Sequence, residues 1–463
     1  MKIMMRQLVF LLCFLCCIPS TQAEENLKFR IYLKDKPSGE YRLDNPQAFL
    51  SPKSIARRER QKISINISDI PVYRPYIAQI EQASGGKCVT TSRWQNTAVV
   101  SVADSSALAK ITALPFVDSV KLVWIKPEIV PVKPKPSGKI RKEKQQKDRK
   151  NRYGAGWQQI ALHNGEKLHK AGFKGKGMTI AVIDAGFKYA DVNYTIDPSR
   201  IAGTHDFVEP QSDFFLTHEH GTMVLATIAA RNKGVLTGTA PEATFWLLRS
   251  EDADTEFPVE EDYWTAAAEF ADSVGVDVIT SSLGYSLYDI RSLGKPQSTL
   301  GRDKSFITRT AETGARKGML ILCSAGNEYT SEWHAITIPG DAENILTVGA
   351  IDSQRQPSTF SGAGYTDERG VKPDITALGT AAATTDPAGN VTRANGTSFA
   401  TPIIAGLATC LWQALPQLSA QEIIQLIRDN SSLRLAPDTL QGYGIPDIYK
   451  AYLTTKQQLE TQK

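Results

Sequence analysis

Cysteine is the first shortage. Beyond the N-terminal stretch only Cys88, Cys323 and Cys410 occur, an odd number spread over the chain, so no disulfide framework holds the fold. Cys323 and Cys410 lie in apolar runs, where cysteine packs as a small hydrophobe, and the sequence leaves a bridge between them open. Long hydrophobic runs are missing too. After Ile18 no stretch reaches the roughly 18 apolar residues that cross a membrane as a helix, which excludes a helical span in the mature chain. Histidine is scarce, with 6 in all, and no Cys/His cluster stands at zinc spacing. No internal repeat is visible.

Charge of one sign is also in short supply, at a net +4 over 463 residues. That excess sits in one place. Lys126 to Lys150 carries ten Lys/Arg against three Asp/Glu, together with four prolines. No aromatic residue is interleaved there, which argues against a nucleic-acid arm and for a solvated, protease-sensitive tether. With 41% hydrophobic and 22% charged residues the rest has globular composition, enough for one large core and a smaller domain.

The N-terminus has Lys2 and Arg6 ahead of the apolar run Leu8 to Ile18, then Pro19 and Thr21-Gln22-Ala23. This is the pattern of a secretory signal peptide over residues 1–23, which predicts an exported, secreted or periplasmic product. Cys13, Cys16 and Cys17 each lack a small preceding residue, which disfavours a lipid anchor.

Residues 24–125 form a unit of their own. Leu27 to Leu33 and Thr97 to Val102 alternate as strands, Ser54 to Gln61, Ile77 to Ser84 and Ser105 to Leu114 read as helices, and Val117 to Val123 closes as a strand. The order suits a small α+β, ferredoxin-like split βαβ sandwich. After the linker, residues 126–152, a second domain spans 153–455. Its short apolar runs Met178 to Ile183, Thr244 to Leu248, Val276 to Ile279 and Met319 to Cys323 alternate with helices, which predicts an α/β doubly wound, mostly parallel sheet. The tail 456–463 is polar and is expected to fray.

Ligands on such sheets bind at the carboxyl ends of the strands, and that is where the reactive residues fall. Asp184 follows Ile183, Ser282 follows Ile279, and Asn327 follows Cys323. His220 opens the apolar segment that runs to Ala230. Asn395 to Pro402 leads into a second apolar segment, with Gly396 for a tight turn, Pro402 expected in the first helical turn and Ser398 at the helix start. Ser398 is either a helix cap or a nucleophile whose oxyanion the helix N-terminus would stabilise. A metal site on His218 and His220 competes with a general-base reading of His220. An acid, a base, an amide donor and a hydroxyl together make a complete acyl-transfer set.

In these residues the chain resembles the subtilisin-like serine peptidases. The likeness runs from about Gln158 to Tyr452 and rests on ordered blocks around Asp184, His220-Gly221-Thr222-x-Val224, Ser282-Leu283-Gly284, Ala325-Gly326-Asn327, Lys372-Pro373-Asp374-Ile375 and Gly396-Thr397-Ser398-x-Ala400-Thr401-Pro402. The resemblance implies a serine endopeptidase with Asp184, His220 and Ser398 as triad and Asn327 as oxyanion donor. It further implies that Ser282, Leu283, Gly284, Ala325 and Gly326 bind a polypeptide substrate, the first three by pairing with it as an added strand. Residues 24–125 resemble the family's inhibitory propeptides. No cofactor is required for such chemistry. Calcium in surface loops is a family expectation for which no ligand set is assigned here. Three positions depart from the pattern: Ala185 where a hydroxyl residue is usual, Leu378 where a proline is common, and Phe399 where methionine is usual. A binding protein on a degenerate fold would have no use for all four polar groups. An α/β-hydrolase esterase would place its serine in Gly-x-Ser-x-Gly and its histidine after it, and neither holds.

Overall fold

Seven parallel strands form the central sheet of the computed structural model, which describes residues 25–37, 39–127, 151–294, 297–301 and 304–461. The expected signal peptide and nearly all of the basic tether therefore lie outside the described residues. In spatial order the strands are Ile375–Leu378, Leu346–Ile351, Leu320–Ser324, Val278–Ser281, Thr179–Asp184, Thr244–Arg249 and Ile201–Asp206. The chain leaves Thr179–Asp184 toward one edge, returns, and continues from Val278–Ser281 toward the other. The switch point therefore lies between these two neighbours, whose register pairs Ile183 with Ser281. A crevice opens there at the carboxyl ends.

Three of these strands escape the sequence reading. Ile201–Asp206 is an edge strand with only Asp206 buried, so it lacks the apolar run that marks its neighbours. Leu346–Ile351 and Ile375–Leu378 are buried throughout, but each is short and interrupted by glycine or threonine. The helix Thr397–Ala414 crosses one face of the sheet with every residue from Thr397 to Trp412 buried. Its Ile403, Ile404, Leu407 and Leu411 join a cluster with Val182, Leu322, Val348 and Ile375. Each such aliphatic side chain contributes roughly 1.5–3 kcal/mol by leaving water. Pro402 stands at the sixth residue of this helix, beyond the first turn where it was expected. The helix tolerates it through a contact described below.

The tail is a second correction. Ile448–Thr461 is one continuous helix, anchored by buried Ile448, Ala451 and Thr455, so the polar residues Gln457 to Thr461 extend it rather than fray. Cys323 and Cys410 are both buried free thiols, with no bridge between them. Burial pushes the Cys323 thiol up to about 12.

The N-terminal unit is a four-stranded antiparallel sheet in the order Lys87–Ser92, Thr97–Val102, Leu27–Leu33, Val117–Ile125, flanked by helices Arg74–Ser84 and Ala107–Thr112, while a further helix, Pro52–Gln61, packs on Val259–Val274 of the large domain. Lys87–Ser92, another half-exposed edge strand, has no counterpart in the sequence reading. This unit is seated on the helix Val259–Val274 of the large domain through buried charges. Arg30 grips Asp262 with two bonds of 2.6 Å. Arg58 and Arg93 reach Asp272 at 2.8 and 3.2 Å, and Arg57 joins them there. Glu269 accepts the Ser92 hydroxyl at 2.6 Å and the Trp94 N–H at 2.9 Å. Among the described residues no helix is long and apolar enough to cross a membrane.

Candidate active site

Asp184 ends its strand fully buried, and its Oδ1 accepts the Ala185 N–H at 2.8 Å and faces His220 Nδ1 at 2.7 Å. His220 is the first residue of the helix His220–Ala229, docked by a bond from Gly221 N–H to Gly186 O of 2.9 Å. Burial alone would lower the His220 pKa, but the charge and hydrogen bond of Asp184 outweigh it and the net shift is upward. The second Asp184 oxygen is buried with no partner. Position 185, the next residue, carries alanine and so offers that oxygen no hydroxyl. The Phe399 ring lies 5.9 Å from the imidazole, tilted by 59°.

Gly396 adopts φ +148°, a conformation side chains disfavour, and so turns the chain into the helix that presents Ser398 as its second residue. The Ser398 hydroxyl donates to Ser282 O at 3.1 Å, and the Ser282 hydroxyl donates to Ser398 O at 2.8 Å. The second bond explains Pro402. A residue at that position would normally donate its N–H to Ser398 O, proline has none, and Ser282 supplies the donor instead.

Asn327 is held by its acceptor end. Its Oδ1 takes the Thr397 N–H at 3.0 Å and the Thr397 hydroxyl at 3.1 Å, which leaves Nδ2 as a free donor on the cleft side. The Ser398 N–H lies in the first helical turn, where no intrahelical acceptor exists. Ala185, His218, His220, Ser282, Leu283, Gly284, Gly326, Asn327 and Ser398 all line one cleft of about 280 Å³.

Eight of the nine residues expected from the sequence therefore converge, Asp184 from behind the cleft lining through its 2.7 Å contact with His220. Ala325 is the exception. It is fully buried, with its N–H given to Val348 O and its carbonyl to Thr337 N–H, both at 3.0 Å, so it supports the wall and does not line it. His218 lines the cleft, and its Nδ1 accepts the His220 N–H at 3.3 Å. Among the described residues no group of three or more His, Cys, Asp or Glu side chains that could hold a metal ion is found, so the His218–His220 pair gains no third ligand of that kind. Lys372-Pro373-Asp374 is structural: buried Asp374 accepts from Lys372 and from Arg428 Nε at 2.8 Å each, tying the helix Ala420–Asp429 to the sheet.

The sequence reading missed Glu251, Thr397 and Thr337. Glu251 lines the cleft, and burial followed by the charges of Asp184 and Asp252 pushes its carboxyl up to about 8. It carries no local motif that marks it. Thr397 sits inside the serine block and gained no role, because its contact with Asn327 spans 70 positions.

The family model described as "Subtilase family" matches residues 175–444, more than half of the chain. The chain belongs to the subtilase family. It is a serine endopeptidase. A second model, the Peptidase S8 propeptide domain of Bacteroidota, matches residues 28–144, so a propeptide domain precedes the catalytic domain. Subtilisin DY from Bacillus licheniformis is 27% identical over 298 residues, covering 63% of this chain and 97% of that protein. Subtilisin BL from Lederbergia lenta is 29% identical over 281 residues, covering 60% and 91%. In fold the chain is similar to the MycP3 protease from the type VII (ESX-3) secretion system, with TM-score 0.51 and 22% identity over 64% of this chain and 87% of that one.

Proposed function

We propose that this subtilase is exported, matures by removing its own N-terminal domain, and cleaves polypeptides through an acyl-enzyme on Ser398. The observation that carries the residue assignment is the 2.7 Å bond from Asp184 to His220 in a cleft that also holds Ser398 and Asn327. Ser398 Oγ attacks the substrate carbonyl carbon while its proton passes to His220 Nε2. The resulting oxyanion takes hydrogen bonds from Asn327 Nδ2 and the Ser398 N–H. His220 then gives the proton to the departing amine, the peptide C–N bond breaks, and an ester to Ser398 remains. Water attacks that ester by the same route in reverse. Asp184 holds the imidazole in the tautomer that leaves Nε2 free.

The Ser398 hydroxyl must leave Ser282 O and turn toward His220 before attack, a rotation about one bond. Ser282, Leu283 and Gly284 offer the edge along which an extended substrate pairs.

Maturation supplies the test. The last strand of the propeptide domain docked on the helix Val259–Val274 ends at Ile125, next to a basic tether that invites cleavage. Purified wild type accumulates as a fragment beginning between Lys126 and Trp157, while Ser398→Ala stays joined to residues 24–125 when no other protease is present. Mass spectrometry of the two proteins decides it. Identical processing of both would mean that another protease matures the chain.

A further inference from the structure

The N–H groups that open a helix find no acceptor in a preceding turn and must be satisfied from outside it. In the helix His220–Ala229 most of them reach backbone carbonyls. Gly221 N–H donates to Gly186 O at 2.9 Å, and Thr222 and Met223 donate to Glu219 O at 3.1 and 3.2 Å. The N–H of His220 itself goes to a side chain instead, where His218 Nδ1 accepts it at 3.3 Å. Glu219, in the cap position, makes no side-chain bond to the helix.

The segment that carries His218 is pinned to the loop that follows Asp184. Lys188 N–H donates to His218 O at 3.1 Å, and Phe187 N–H donates to Thr217 Oγ1 at 3.2 Å. The two segments pass so closely that a Cβ on Gly186 would come within 2.4 Å of His218 N. The His218 ring therefore ties the start of the His220 helix to the loop of its acid partner.

Accepting at Nδ1 requires that nitrogen to be bare, so the neutral ring carries its hydrogen on Nε2, and a protonated ring, a donor at both nitrogens, cannot make the bond. The surroundings keep the ring neutral. Although solvent reaches the residue, partial burial and then the charge of a protonated His220 lower its pKa below the ordinary value, against the opposing pull of Asp184, Glu219 and Asp254. Glu251 shares the same cleft wall.

We infer that His218 is a positioning residue for the general base: as a neutral imidazole it fixes the first turn of the helix that presents His220 to Asp184 and Ser398. This rests on His220 as the base. When His218 takes a proton, the His220 N–H loses its acceptor. A positive charge then stands at a helix N-terminus, where the dipole opposes it, with the two ring centres 6.5 Å apart. The base loses its placement, and activity falls with it.

The test uses mature enzyme and a fluorogenic peptide that wild type cleaves. His218→Ala is expected to lower kcat about tenfold with KM little changed. His218→Asn recovers most of that loss, because its Oδ1 sits as many bonds from the backbone as Nδ1 and accepts without titrating. The pH profile separates placement from mere folding. As pH falls, log kcat/KM of wild type drops with a slope of about one while His220 protonates, then steepens toward about two as His218 follows, whereas the asparagine variant stays near one throughout. If the alanine variant folds poorly, the wild-type and asparagine profiles carry the test alone. Wild-type kcat in His218→Ala, no recovery in His218→Asn, or one common slope in wild type and the asparagine variant overturns the inference. His220→Ala separates it from the assignment beneath it. A loss of at least about 10²-fold there, beside wild-type activity in His218→Ala, overturns the inference alone, and wild-type activity in His220→Ala overturns both.

Discussion

Ser282 and Ser398 hold each other by reciprocal bonds, each hydroxyl donating to the other's carbonyl, at 2.8 Å from Ser282 and 3.1 Å from Ser398. The first bond replaces the helical one that Pro402 cannot make, so it positions the very turn that carries the nucleophile. Ser282→Ala leaves a buried carbonyl without a donor. The expected cost is about 1–3 kcal/mol, read as a lower denaturation midpoint with unchanged slope, and kcat should fall with KM little altered. Wild-type stability in this variant would mean that the helix start is held by other contacts.

Asn327 has its carbonyl end committed to Thr397 and its amide end free. On the proposed assignment Asn327→Ala folds normally and loses about 10²–10³-fold in kcat with little change in KM. Thr397→Val removes one of the two bonds that orient the amide and gives a smaller loss in the same parameter. A loss under tenfold for Asn327→Ala would place the oxyanion elsewhere.

The unpartnered oxygen of Asp184 sets a pH prediction. Its carboxylate raises the His220 pKa, and a base works only when neutral, so the acidic limb of kcat/KM should lie above the ordinary histidine value of 6.5. Ala185→Ser offers a donor to that oxygen and weakens the pull on the imidazole. The limb then moves to lower pH. A pH–rate profile of both forms shows it, and a limb that stays fixed or moves up contradicts the account.

Asp272 is the centre of propeptide docking, with Arg57, Arg58 and Arg93 around it. Burial alone would raise its pKa, but the three guanidiniums outweigh that and the net shift is downward. Its contribution is therefore present at all pH values above the unfolded value of 3.8 and is lost only as the pH falls through its still lower folded value. In the uncleaved Ser398→Ala protein, Asp272→Asn is expected to cost about 3–5 kcal/mol, because it strands buried arginines. Limited proteolysis would show the N-terminal domain digested faster. Unchanged protection would mean that the apolar contacts alone hold it.

Much of the large domain is legible in its sequence, for a physical reason. A parallel sheet needs strands apolar on both faces, so Ile180 to Ile183 and Leu320 to Cys323 stand out, and a polar residue directly after such a run can only be a cap or a working group. The edge strands Ile201–Asp206 and Lys87–Ser92 carry no such signature because solvent takes one side of them. Contacts between distant positions are hidden for another reason. Nothing near Pro402 tells that Ser282 mends its helix, and nothing near Thr337 tells that Gly284 and Gly326 make room for it. Ala325 belongs to a motif and is therefore expected in the cleft, but its backbone is spent on Val348 and Thr337.

The sharpest check on the proposed mechanism is the site of covalent labelling by a fluorophosphonate, which reacts with a serine only where a base and an oxyanion site activate it. Mature wild type should take up one label, located by mass spectrometry of its peptides on Ser398, with labelling abolished in Ser398→Ala and reduced at least a hundredfold (about 10², the scale of general-base assistance) in His220→Ala. A label on another serine, or wild-type labelling that survives in Ser398→Ala, would contradict it.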